Sequence, residues 1–114
     1  MRAAQVALLG SLAWRFPGLR PALDEHLDDN EGEILPHPLM AAYERWLEAR
    51  FEAGDPEISP VLASLEEAYA TGGEEVQELI AVSFLEHLPR SPEPGWGLRE
   101  HLGPAMTEQL RKIG

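Results

Sequence analysis

Residues 24–38, DEHLDDNEGEILPHP, bring six carboxylates, two imidazoles and an asparagine into fifteen positions. Three chemistries use such a set: a hard cation held by oxygens, a transition metal held by imidazoles, and acid–base work by paired carboxylates. Calcium fails on register. With Asp28 as the first position of an EF-hand loop, Glu33 stands where the turn glycine belongs and Leu39 where the bidentate acid belongs. Zinc fails on spacing, because His26 and His37 are eleven positions apart and no His-Glu-x-x-His occurs. The residues three before the four histidines are Leu23, Ile34, Phe84 and Leu98, so the Glu-x-x-His pairs of a di-iron bundle are missing too. No metal and no cofactor are expected.

Nucleophilic chemistry fares no better. There is no cysteine, and the serines at 11, 59, 64, 83 and 91 form no Gly-x-Ser-x-Gly elbow. Ser83 falls inside an apolar helical run, where its hydroxyl is expected to bond back to the carbonyl four residues earlier. Gly72-Gly73 leads into Glu74-Glu75, which repels phosphate. Paired carboxylates do acid–base work only where an apolar pocket separates their pKa values, and the acidic stretch reads as wet. Glu44, Glu48 and Glu52 recur at every fourth position and read as a solvated like-charge stripe. A non-enzymatic protein is the expectation.

The elements that must position these groups follow from periodicity and breakers. Val6, Leu9, Leu12, Ala13 and Phe16 predict an amphipathic helix over 2–15, closed by Phe16-Pro17-Gly18. Leu19, Leu23 and Leu27 predict a short second helix, followed by an acidic loop of about ten residues broken by Asn30, Gly32, Pro36 and Pro38. A third helix reaches about Glu52, with Trp46 in its core stripe and Trp14, on the first helix, off the main stripe. Ser59-Pro60 reads as the N-cap and first turn of a fourth helix, and 74–88 as a fifth, central one. Leu98–Leu102 and Pro104–Ile113 complete the chain. The sum is an all-α fold, a single domain over 1–114 built as a compact bundle of about five to seven helices.

The net charge of −11 is uneven: +3 over residues 1–20, −9 over 21–60, −6 over 61–88 and +1 over 89–114. Such a field repels nucleic acid and anionic lipid and attracts a basic protein surface. The opening MRAAQVALLGSLAW imitates a signal peptide, but Gln5 interrupts it and no small-x-small cleavage site follows. A first helix and a cytoplasmic protein are expected, and no stretch approaches the length of a membrane span.

Gly32-Glu33-Ile34-Leu35-Pro36-His37, Ser83-Phe84-Leu85-Glu86 and Leu102-Gly103-Pro104 resemble the pattern of a family of small bacterial helical proteins. That pattern has a Gly-Glu-Leu-Leu-Pro-His segment, a helix ending Gly-Phe-Leu-Glu, and a Leu-Gly-Pro before the last helix. Ser83 departs from it by replacing the glycine. Such proteins look like the acidic immunity proteins that block secreted antibacterial toxins by binding them. The resemblance carries no active site, and it implies that Leu35, Pro36, Phe84, Leu85, Gly103 and Pro104 are structural.

The resulting expectation is a protein-binding module, an immunity protein that meets the basic surface of a toxin domain. The contact residues are expected to be Asp28, Asp29, Glu31 and Glu33 on the acidic loop, Glu44 and Glu48 on the third helix, and Trp96, which between its two glycines reads either as core tucked over the bundle end or as an exposed aromatic anchor. The alternative is a regulatory or adaptor domain acting as a homodimer.

Overall fold

Gln5, Leu9, Leu12 and Ala13 recur at helical spacing, and in the computed structural model, which describes residues 2–113, they form the buried side of α1 (Ala3–Arg15). Phe16 leaves the helix, and one 3-10 turn, Pro17–Leu19, leads into α2 (Arg20–Asp29). Then follow α3 (Pro36–Glu52), α4 (Ile58–Thr71), α5 (Glu74–Ser83) and α6 (Pro104–Ile113). Two further 3-10 segments, Leu85–His87 and Trp96–His101, lie between α5 and α6. No strand occurs among the described residues, so the fold is all-α. The radius of gyration, 13.2 Å, matches the roughly 13 Å expected of one compact globule of this length.

The apolar run predicted to be central is central. Leu79, Ile80, Phe84 and Leu85 have no exposed surface, and α5 packs on α1, α3 and α4 at once. Two of the polar side chains inside this packing are satisfied by backbone. The Tyr43 hydroxyl donates to the Leu9 carbonyl at 3.0 Å, tying α3 to α1, and burial pushes its pKa up. The Gln5 amide donates to the Glu75 carbonyl at 2.7 Å, tying α1 to the start of α5.

Three expectations are corrected. The second helix runs on through Asp24, Glu25, Asp28 and Asp29, because acids are no helix breakers; the break comes at Asn30, Glu31 (φ 55°) and Gly32 (φ 81°). The connection is therefore residues 30–35, shorter than the ten-residue loop. Ser59 is no N-cap: α4 begins at Ile58, one residue earlier, and the Asp55 carboxylate takes the Glu57 N–H at 2.9 Å. The fifth helix ends at Ser83, and the chain tightens to a 3-10 turn over Leu85–His87.

Carboxylates far away in sequence do the capping. Glu66 on α4 accepts from the Ala105 and Met106 N–H groups at 2.8 and 3.0 Å, filling the N-terminus of α6. A Cβ on Gly103 would sit 2.5 Å from the Glu66 carboxyl carbon. Glu52 accepts from the Gly95 N–H at 3.1 Å. Arg99 donates to the Pro89 and Leu88 carbonyls at 2.7 and 2.9 Å, so the proline-rich stretch is bound down.

Candidate protein-binding face

Asp24, Glu25, Asp28 and Asp29 are all exposed on α2, and Glu31 and Glu33 are exposed on the turn that follows. Of these six carboxylates one has an ion-pair partner among the described residues: Glu33, 3.2 Å from Arg2. The other five face water, and nothing in the packing requires them.

The turn is held from below. His26, 9% exposed, offers Nε2 to the Leu35 N–H at 2.9 Å, and Asn30 donates its amide to the His26 carbonyl at 2.8 Å. Gly32 returns its N–H to the Leu27 carbonyl at 2.8 Å, closing the end of α2. His26 accepts through Nε2, which fixes the proton of the neutral ring on Nδ1. The loop carrying Glu31 and Glu33 is thus anchored at both ends, and its charges stand in set positions.

Beside this acidic edge, α2 and α3 leave a groove of about 480 Å³. Glu25, His26 and Asp29 form one wall, Ala42, Arg45 and the half-buried Trp46 the other. Trp46 is backed by Gly18, where a Cβ would come within 2.7 Å of the ring. An apolar ring facing two carboxylates suits an alkyl stem ending in a cation. Sequence reading put Trp46 in the core stripe of the third helix; only the pairing of α2 with α3 shows that one side of it lines a groove.

The structure does not bring the remaining candidates to this face. Glu44 is 1% exposed, so the like-charge stripe is not a solvated one. It lies one turn from Met40 and Leu47, both fully buried, and shares a hydrogen bond with half-buried Glu48, while its Oε2 has no partner. Desolvation first, then the Glu48 hydrogen bond and charge, push the Glu44 carboxyl up to about 9, against a small lowering by Arg45. The α3 residues that do border the acidic edge are Pro38, Ala42, Arg45 and Trp46. Trp96, 41% exposed, follows Gly95, which lies against Glu48 at the far end of α3 from the acidic turn.

Sequence reading also missed a contact. The Ser83 hydroxyl does not bond back along its helix but lies 2.6 Å from His37 Nδ1, whose Nε2 is 3.7 Å from Glu78. With Nε2–H turned to Glu78, Nδ1 accepts the serine proton, the first half of a nucleophilic pair. Ser83 is 3% exposed, however, and its oxygen is packed between α5 and the start of α3, so the contact ties those two helices together. Among the described residues no group of three or more His, Asp and Glu is placed to hold a metal, and no helix is long and apolar enough to cross a membrane.

The chain belongs to a family described as a domain of unknown function (DUF7674), which matches residues 10–113. No curated protein and no solved structure matches it.

Proposed function

We propose that the chain is a protein-binding module acting in the cytoplasm, an immunity protein that neutralises a cognate antibacterial toxin by covering a basic surface on it. The observation that carries this reading is the acidic edge: six carboxylates between Asp24 and Glu33, four on α2 and two on the turn that His26 anchors, of which Glu33 alone has an ion-pair partner among the described residues. Placing like charges together costs folding energy, and the core gains nothing from them. The adjoining groove gives the contact specificity, with Trp46 under the stem of a lysine or arginine and Glu25 and Asp29 at its charged end.

The test is a quadruple substitution, Asp28→Asn, Asp29→Asn, Glu31→Gln and Glu33→Gln. All four side chains are exposed, so the fold is retained. The variant should then associate with its cognate toxin about tenfold or more slowly and lose most of the salt dependence of binding, since peripheral charges act mainly on encounter. Cells co-expressing toxin and variant should be poorly protected. Full protection by the variant, with an unchanged association rate, would overturn the reading.

A further inference from the structure

Trp14 is the most exposed large apolar side chain described, at 78%, and it is not loose. Arg20 stands over the indole, 5.5 Å from the ring centroid. Its Nε and Nη2 donate to the Ala13 and Trp14 carbonyls at 3.0 and 2.9 Å, completing the C-terminal end of α1. A ring held this way loses little freedom when a partner covers it.

Trp14 stands between two clefts. One, about 530 Å³, lies between the end of α1 and α4, and its charged residues are Arg15 and Glu67. The other, about 210 Å³, lies between α1 and α2, and its charged residues are Arg20 and Asp24. Each cleft carries one cation and one acid. From Ala3 to Trp14 the chain has no charged residue, although Ala3, Ala4, Ala7 and Ser11 are exposed. On a chain of net charge −11, the surface around Trp14 is therefore apolar at its centre and balanced in charge at its two clefts, while Glu74 and Glu75 lie beside Ala4 toward the other end of α1.

That balance selects the occupant. A basic partner is drawn to the acidic edge, and a phosphate-bearing or otherwise acidic one is repelled by the whole molecule. A second copy of this chain, acidic over most of its length, meets little repulsion at a face where each cleft pairs one cation with one acid. Here a projecting ring lies beside a cleft able to take another, and each sign of charge has its complement on the same face, as a two-fold contact requires. We propose that Trp14 and its two flanking clefts form a self-complementary face through which two copies of the chain associate. None of the residues lining these clefts lines the α2–α3 groove, and Asp24 alone is shared with the acidic edge, so the two contacts meet only at that residue.

Sedimentation equilibrium of the full chain tests this. A reversible monomer–dimer equilibrium is expected, with a dissociation constant of about 10⁻⁵ M, that of a weak, transient contact. Raising salt from about 0.02 to about 0.2 M should tighten it, because screening removes repulsion between two like-charged chains. Trp14→Ala, folded as judged by circular dichroism, should weaken it about thirtyfold, the loss typical of a central tryptophan. Trp96→Ala, at the second exposed tryptophan, should leave it unchanged. A monomer up to about 1 mM at the higher salt, an undiminished dimer in Trp14→Ala, a dimer that salt dissociates, or equal weakening by Trp96→Ala would each overturn the proposal.

Discussion

Glu44→Gln should make the protein more stable, by an amount that depends on pH. The Glu44 carboxyl is 1% exposed, its Oε2 has no partner, and its pKa rises from 4.5 to about 9 on folding. A carboxyl raised in this way stabilises the fold in its protonated form. Its contribution is complete below pH 4.5 and is lost as pH climbs toward 9. Each pH unit in that window costs about 1.4 kcal/mol. At pH 7 the deficit is thus about 3 kcal/mol, and at pH 9 about 6 kcal/mol, against a total of roughly 5–15 kcal/mol for a domain of this size. Glutamine has the same shape, carries no charge and donates its amide to Glu48, so it removes the deficit. Urea unfolding followed by circular dichroism at pH 5, 6, 7 and 8 should show the wild type weakening steadily, with the variant gaining about 3 kcal/mol at pH 7 and less than about 1 kcal/mol at pH 5. Glu31→Gln, at an exposed site, controls for net charge. A wild-type profile flat from pH 5 to 8, or a variant less stable than wild type at pH 7, would refute the reasoning.

His26→Ala deprives the Leu35 N–H of its acceptor and should cost about 1–3 kcal/mol, with fast hydrogen exchange appearing at the Leu35 amide while the core of α5 stays protected. Two glycine substitutions should act in opposite directions in thermal melts. Gly10→Ala, inside α1 with nothing within 4 Å of the new Cβ, gains about 0.5–1 kcal/mol, whereas Gly97→Ala, whose Cβ would stand 2.5 Å from Phe51 Cζ, loses about 1–3 kcal/mol.

Sequence patterns located the helices because apolar spacing and breakers act locally. Leu9 and Leu12 on one stripe, and Leu79 to Leu85 as an unbroken run, could bury themselves in only a few ways. Glu44 was misjudged because charge normally reports exposure, and nothing local shows that the surrounding packing closes over its side of α3. The acidic stretch reads as a long loop from its breakers, and Asn30 and Gly32 do mark the break, yet Asp28 and Asp29 lie in α2 and Pro36 and Pro38 in the first turn of α3. Ser83 shows the same limit from another side. A local partner was available on its own helix, but packing supplied His37, 46 positions away, and Glu66, Glu52 and His26 likewise find backbone partners that sequence spacing cannot point to. Trp46 and Trp14 read correctly as inner and outer residues of their helices, while the grooves beside them exist only once neighbouring helices are placed.

Glu66 and Gly103 meet so closely that neither position is free to vary alone. The carboxylate fills the space a Cβ at 103 would occupy while it holds the Ala105 and Met106 amides. Any residue larger than glycine at 103 displaces the cap, and any residue unable to reach those amides at 66 removes the reason for the glycine. Across relatives the two positions should change in concert, glutamate with glycine or neither, so that a link between α4 and the chain's last helix is written into the family as a covarying pair 37 positions apart.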